Sequence, residues 1–252
     1  RGLGDVYKRQ GHTPMKILAI DSTAGPASAA IYEDGKILGE FFINTKLTHS
    51  VTLMTMCEAL LKNTMTDIKE IDAFAVSAGP GSFTGVRIGV AAVKGMAQAL
   101  SKPCVSVSAL EAMAQNLKGT ECVICAVMDA RCRQFYNALF ESKNGQITRL
   151  TEDRALSSEE LAGELEQLPG RIILTGDGSG AALGLMFPRL PRLETAQEQL
   201  KYQRASGVCF VAAQKFMQGQ TVSASELMPV YLRLPQAQRE LLQKQKMEGS
   251  GK

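Results

Sequence analysis

The chain has 252 residues, of which 45% are hydrophobic and 21% are charged, and its formal net charge at pH 7 is +3. This composition excludes disordered and fibrous classes, and the length predicts one large domain or two lobes. The small basic excess, the absence of Trp and the 6% aromatic content argue against unaided nucleic-acid binding. The six cysteines lie mostly in apolar segments, which favours reduced thiols in the cytoplasm. No segment reaches the roughly 18 apolar residues of a membrane helix.

The first fourteen residues are predicted to be a foreign leader. Residues 1–14 contain no apolar core of a signal peptide. They also lack an initiating Met, whereas Met15 begins an apolar strand. We therefore leave residues 1–14 out of the fold prediction.

The predicted fold begins with strands that form antiparallel hairpins. The apolar run 15–21 ends on Asp21, and strands at 29–32 and 37–43 follow through short turns, which is typical of antiparallel hairpins. The spacing of apolar residues then predicts a helix over 50–62.

A glycine-rich turn, 79–85, joins a predicted strand at 73–77 to a helix that ends at Leu100. Backbone N–H groups beside the start of a helix suit an anion, but the Gly-Lys-Ser/Thr ending of a P-loop is absent. Close packing of the glycines explains the pattern equally well. A second pair of glycines follows a predicted strand at 171–175. The residues predicted to bind phosphate or nucleotide are Asp21, Gly79, Gly81, Ser82, Gly176 and Gly178.

The second half of the chain repeats the first. An apolar strand at 123–129 ends on Asp129, as the first strand ends on Asp21, and two more strands follow through a tight turn. This pattern predicts an internal duplication. Helices are predicted over 157–167 and 205–218.

Candidate catalytic residues are few. Beyond the leader the sequence has a single histidine, His49, which we interpret as a residue at a helix start rather than a catalytic base. Cys122 and Cys125 match Cys-x-x-Cys, but their side chains would point to opposite faces of a strand, which indicates core thiols. These residues predict no catalytic site.

The helix over 84–100 is too apolar for an ordinary surface helix. Arg87, Lys94 and Gln98 form one narrow polar stripe, and almost everything else is apolar or small. Either the helix is buried in its own domain or one side meets a partner chain; we favour the partner, with the helix over 50–62 joining the contact. The residues predicted to form this interface are Val51, Met54, Leu61, Val86, Val90, Val93, Lys94 and Ala97.

Four segments together resemble one family. They are Asp21 after the first strand, the turn and helix start at 77–89, the strand end Met128–Arg131 and the segment Pro229–Arg233. The sequence over 15–239 resembles the bacterial TsaB (YeaZ) family of the actin/hexokinase/Hsp70-like ATPase superfamily, and Gly-Pro-Gly-Ser-Phe-Thr-Gly-Val-Arg-Ile-Gly is the most specific string. The resemblance implies an α/β fold of two RNase-H-like lobes, each a mixed sheet with helices, in agreement with the duplication.

The resemblance and the duplication together predict the domain organisation. The predicted parts are an N-terminal lobe at 15–113 with a returning helix at about 205–218, a C-terminal lobe at 114–204, and a C-terminal segment with a flexible tail at 219–252.

The family pattern also bears on catalysis. TsaD, the catalytic relative of this family, carries two metal-binding histidines in a His-x-x-x-His arrangement after the corresponding glycine loop. Ala109 and Met113 stand at those positions here, and neither suits a hard or borderline cation. The resemblance therefore implies that this chain has no metal site, no catalytic residues and no cofactor of its own, with ATP and a metal belonging to a partner complex.

The function that the resemblance implies is that of a scaffold or activating partner of TsaD. The complex forms N6-threonylcarbamoyladenosine at position 37 of tRNAs that read ANN codons. The family pairs with TsaD, or with a second copy of itself as a homodimer, through two helices that match 50–62 and 84–100; the ATPase TsaE joins the pair. Contact with tRNA is expected only through the complex, and none with a membrane. The alternative is a metal- or nucleotide-dependent enzyme of the glycoprotease/ATPase superfamily that acts by itself, resting on Asp21 and the glycine turns.

Overall fold

The strands and helices come from a computed structural model that describes residues 14–45 and 47–233. The strands are β1 (Lys16–Asp21), β2 (Ala27–Glu33), β3 (Lys36–Ile43), β4 (Ala73–Gly79), β5 (Cys104–Ser108), β6 (Cys122–Asp129), β7 (Gln134–Lys143), β8 (Gln146–Arg149), β9 (Arg154–Ser157), β10 (Ile172–Thr175) and β11 (Leu193–Thr195). The α-helices are α1 (His49–Asn63), α2 (Phe83–Leu100), α3 (Ala109–Ala114), α4 (Ser158–Gln167), α5 (Ser179–Met186), α6 (Glu198–Lys201) and α7 (Ala205–Met217).

The two sheets have the same strand order. The first is β3-β2-β1-β4-β5, and the second, read from its hairpin edge, is β8-β7-β6-β10-β11, with β9 added beside β7. In each sheet the central strand is antiparallel to the strand that follows it in sequence and parallel to the neighbour on its other side. This repeated topology confirms the predicted fold class of two RNase-H-like lobes with mixed sheets.

Helices cover both faces of both sheets. Leu18 and Ile20 of β1 pack in the core beneath α1 and α2, whereas Ile17 and Ala19 face α7. Because both faces of β1 are buried, its sequence is a continuous apolar run instead of an alternating one. The core on the outer face of the second sheet contains residues of α4 and α5. The helix α3 lies between the sheets, so that its Ala112 packs on the first sheet and other residues of α3 pack on the second.

The predicted strands and helices agree with the structure except where elements are short. The helix predicted over 205–218 is α7, which packs on the first sheet. The elements that were not predicted are β5, α3, β9, α5, β11 and α6. The leader at 1–14, apart from Pro14, and the tail from 234 onward lie outside the described residues, and the lobe boundaries stay a prediction. None of the described helices is long and apolar enough to span a membrane.

Candidate functional site

A cavity of about 490 Å³ lies between the two lobes, at the carboxyl ends of β1, β4, β6 and β10. The carboxyl ends of sheet strands are where α/β folds place their ligand crevices. The first lobe supplies Thr23, Ala24, Gly25, Pro80, Gly81, Ser82, Phe83 and Thr84. The second lobe supplies Met128, Asp129, Ala130, Arg131, Tyr136 and Asp177, and the C-terminal segment adds Val230, Tyr231, Leu232 and Arg233.

Asp21 is buried beneath this cavity and does not line it. Its Oδ1 accepts hydrogen bonds from the backbone N–H of Thr23 (2.9 Å) and from Thr23 Oγ1 (2.7 Å), and its Oδ2 accepts from Ser77 Oγ. Burial raises the pKa of Asp21, and these hydrogen bonds oppose the rise. The carboxyl group therefore stabilises the turn after β1, and its predicted contact with a nucleotide or phosphate stays a prediction.

The glycines of the turn after β4 are required by close backbone packing. A Cβ on Gly79 would lie 2.3 Å from the carbonyl oxygen of Val230, and one on Gly81 would lie 2.4 Å from that of Thr23. Gly81 and Ser82 do line the cavity. The Ser82 hydroxyl, however, caps α2 by accepting from the N–H of Gly85 (3.3 Å). Of the residues predicted here, only these two reach the cavity.

The glycine pair after β10 also packs against backbone. A Cβ on Gly176 would lie 2.1 Å from the carbonyl oxygen of Val127, and one on Gly178 would lie 2.9 Å from the N atom of Asp129. Neither glycine lines the cavity. The structure gives both a packing role, and their predicted contact with a nucleotide or phosphate stays a prediction.

Two carboxyl groups face the cavity from the second lobe. Asp129 accepts the N–H of Arg131 at 2.7 Å, which repeats the turn that Asp21 makes with Thr23. The enclosing protein raises the pKa of Asp177 to about 6; a hydrogen bond from Gln203 opposes this rise, and the charge of Asp129 adds to it. The described residues contain no group of three or more His, Cys, Asp or Glu that could hold a metal ion.

The structure also corrects the predicted partner interface. Val86, Val90, Val93 and Ala97 are at most 4% exposed and belong to the core between α2 and the first sheet. The sequence shows that α2 is apolar on more than one side, but it does not show which side faces the sheet. Among the other predicted residues, Val51 (66%) and Met54 (49%) are exposed, and Leu61 and Lys94 are half-buried.

Lys94 and Arg87 hold the C-terminal segment of the same chain. The Lys94 ammonium group donates to the carbonyl groups of Ser225 (3.2 Å) and Leu227 (3.0 Å), and Arg87 Nε donates to the hydroxyl group of Tyr231 (2.8 Å). The polar stripe of α2 is therefore covered in part by residues more than a hundred positions away.

The remaining predictions concern histidine and cysteine. His49 is the first residue of α1, and its Nε2 donates to the carbonyl group of Ala24 at 2.8 Å, which agrees with a residue at a helix start. Cys122 and Cys125 are free, buried thiols in the cores on opposite faces of the second sheet, as predicted.

Several cavity residues were missed by the sequence analysis. Tyr231 and Arg233 belong to the segment Pro229–Arg233, Arg131 ends the string Met128–Arg131, and Phe83 lies in the glycine-rich string 79–89. These strings indicate the family but do not indicate a cleft, and Tyr136 carries no signal in the sequence.

These features define a class of protein: a two-lobed α/β chain built on a repeated RNase-H-like sheet, with a glycine-rich strand-to-helix turn at the cleft. A protein-family model described as TsaD, tRNA N6-adenosine threonylcarbamoyltransferase, matches residues 36–241. The TsaB protein of Escherichia coli K12, a tRNA threonylcarbamoyladenosine biosynthesis protein, is 32% identical over 87% of this chain and 95% of its own length. The protein of the same name from Bacillus subtilis 168 is 28% identical over 92% of this chain and 100% of its own length.

A solved structure agrees with these relatives. An uncharacterized protein from Pseudomonas aeruginosa, described as similar to peptidase YeaZ, superposes with a TM-score of 0.75 at 25% identity, over 87% of this chain and 100% of that one. The chain belongs to the TsaB (YeaZ) family, and the predicted family is confirmed.

Proposed function

We propose that this chain is a non-catalytic partner subunit in the formation of N6-threonylcarbamoyladenosine at position 37 of tRNAs that read ANN codons. It binds a TsaD-type transferase through the exposed sides of α1 and α2, which we call the outer helix face, and TsaE joins that pair. The cofactors, ATP and a metal ion, belong to the partner complex. The names of its relatives support a role in this modification.

The observation that carries the proposal is the apolar character of the outer helix face. The face consists of Val51 and Met54 on α1 and of Ile88, Ala91, Ala92 and Gly95 on α2, all exposed or half-buried. The helices are neighbours, because a Cβ on Gly85 near the start of α2 would lie 3.3 Å from the His49 ring at the start of α1. An exposed apolar surface on two adjacent helices is typical of a protein-binding site.

The positions of Ala109 and Met113 support the non-catalytic role. They are four residues apart on one side of α3, and both are fully buried in one apolar core. In the register of the family these positions hold the metal-binding histidines of TsaD, and an alanine and a thioether in an apolar core do not replace them as ligands of a hard or borderline cation.

A charged side chain at Gly95 tests the outer helix face. Gly95 is exposed and a Cβ there meets nothing within 4 Å, so Gly95→Glu leaves the fold intact and places a charge in the contact. We expect the affinity for a bacterial TsaD, measured by calorimetry, to fall by about tenfold or more, which is ~1.4 kcal/mol. The same variant, added to TsaD, TsaE and tRNA, should lower the yield of modified tRNA in proportion to the binding.

Gly184→Glu is the matched control. Gly184 is an exposed glycine of α5 on the second lobe and also has nothing within 4 Å of a Cβ. The control should bind TsaD normally. Unchanged binding by Gly95→Glu, or loss of binding by Gly184→Glu alone, contradicts the assigned face, and undiminished tRNA modification when this chain is omitted contradicts the partner role itself.

The second candidate function, a metal- or nucleotide-dependent enzyme that acts by itself, rests on the cleft. Its cavity is large enough for a small molecule, and Asp129 and Asp177 supply carboxyl groups to it. ATP hydrolysis by the purified chain that disappears in Asp177→Asn would favour this candidate over the scaffold.

A further inference from the structure

The C-terminal segment from Val222 to Leu227 is fixed to the first lobe. Val222 and Cys104 exchange backbone hydrogen bonds of 2.9 and 2.8 Å. Leu227 is 1% exposed in the core beneath α2, and Lys94 donates to two carbonyl groups of the segment. These contacts hold the chain firmly on the first lobe just before it reaches the cleft.

The next residues stay on the first lobe and reach the cleft. The N–H of Val230 donates to the carbonyl group of Ala78 at 2.7 Å. The ring of Tyr231 packs on that of Phe83 with centroids 5.0 Å apart, and its hydroxyl group accepts from Arg87. The guanidinium group of Arg87 lies 3.8 Å from the Phe83 centroid, so Tyr231 belongs to a stacked cluster at the start of α2.

Arg233 crosses the cleft. Its guanidinium NH1 donates to the carbonyl group of Ala130, at the end of β6, at 2.6 Å. Of the hydrogen bonds formed by 228–233 within the described chain, this is the one that reaches the second lobe. A charged donor makes such a bond stronger than a neutral one.

The opposite side of the cleft is held differently. The helix α3 packs on both sheets, and Arg149 of the second lobe pairs with Glu111 of α3 at 3.3 Å. Lys215 of α7 lies 3.9 Å from the same carboxylate. Away from α3 the lobes are joined by smaller contacts, among them the ring pair of Phe42 and Tyr202 (centroids 6.5 Å apart) and the hydrogen bond of Arg233. A pair of lobes that is packed through one helix and joined elsewhere by small contacts has the arrangement of a hinge.

We propose that Val230–Arg233 is a latch that holds the two lobes closed over the cavity. All four residues of this segment line the cavity. The segment therefore forms part of the cavity wall and also holds the two lobes together. Release of Arg233 from Ala130 frees the second lobe to turn about α3, and the cavity then opens to solvent. This device depends on the two lobes alone and not on the proposed partner.

The distance between the lobes tests the latch. Spin labels are placed at the starts of α1 and α4, through Ser50→Cys and Glu159→Cys in a Cys132→Ser background; both sites are exposed, and the other five cysteines are buried. Pulsed electron resonance on the full chain should give one narrow distance distribution. Arg233→Met, which keeps an unbranched side chain but removes the guanidinium donor, should shift or broaden the distribution towards longer distances.

Two further variants make the test decisive. Tyr231→Leu leaves Arg233 in place but removes the ring that anchors the segment on Phe83, and it should also lengthen the distances; it decides the test if Arg233→Met does not fold. Arg189→Met removes an exposed ion pair with Glu166 on the second lobe and should leave the distribution unchanged. Wild-type distributions in the folded Arg233→Met or Tyr231→Leu chain overturn the latch.

Discussion

Val93 and Gly95 are two residues apart in α2 but lie on different sides of it. Val93 is 0% exposed beneath the helix, whereas Gly95 is exposed with no atom within 4 Å of a Cβ. We expect Val93→Ala to destabilise the free protein and Gly95→Glu to stabilise it slightly. The two changes in the free energy of unfolding have opposite signs because the two side chains lie in different surroundings, and neither change depends on a partner.

The magnitudes follow from burial and helix propensity. Val93→Ala removes two buried methyl groups at about 0.8 kcal/mol each and leaves a cavity, so the loss is about 2–3 kcal/mol. For a chain of this size each kcal/mol lowers the melting temperature by about 2–4 °C, which predicts a fall of at least about 4 °C. Gly95→Glu replaces a poor helix former with a good one and should add about 0.5 kcal/mol.

Far-UV circular dichroism during heating measures both variants in the absence of TsaD. A melting temperature of Val93→Ala equal to that of the wild type would refute the burial of α2 on the first sheet. Strong destabilisation by Gly95→Glu would refute the open surroundings of Gly95, and the loss of TsaD binding expected for that variant would then report unfolding and not the interface.

Two other predictions concern titration and thiol reactivity. The fold raises the pKa of Asp177 from 3.8 to about 6, so the folded state holds this proton more tightly than the unfolded state. The stability that the bound proton provides is lost as pH rises from about 4 to about 6. The melting temperature of Asp177→Asn should therefore lie above that of the wild type at pH 7 but not at pH 4, and an equal difference at both pH values contradicts this. Cys132 is the one exposed cysteine of the six, and burial raises the pKa of Cys57 and of Cys125 to about 12. An aromatic disulfide reagent should accordingly titrate one thiol in the native protein and six after denaturation, and fast reaction of a second native thiol would contradict the buried positions.

The hairpins and the duplication were predictable because their signals are local. Asp21 and Asp129 each end an apolar strand, and each accepts the N–H two residues further on. Such a turn is set by neighbouring residues, so the pattern survives in the sequence even though one carboxyl group is buried and the other exposed.

The short elements of the second lobe could not be predicted. The helix α5 has eight residues, and two of them, Gly180 and Gly184, disfavour a helix. Its Ala182 and Met186 are buried against the second sheet, and this tertiary packing outweighs the local preference.

The glycine turns show why a phosphate site could not be inferred from their pattern. A glycine is needed wherever other atoms approach the backbone too closely for a Cβ, whether those atoms belong to a phosphate or to the protein. At Gly79 they belong to Val230, and at Gly176 to Val127. The sequence carries the requirement for glycine but not the identity of the neighbour.

The extent of the partner surface on α2 could not be predicted for the same reason. Arg87 and Lys94 interrupt an apolar helix, which favours an interface edge when the helix is considered alone. In the fold both bind Ser225–Tyr231 of the same chain, a contact of long sequence separation that no periodicity reveals. The side of α2 open to another protein is therefore narrower than predicted and is centred on Ala91 and Gly95. Since Arg87 also anchors Tyr231, a residue of the latch, a substitution at Arg87 would change both surfaces, and Gly95 is the better position from which to test the partner.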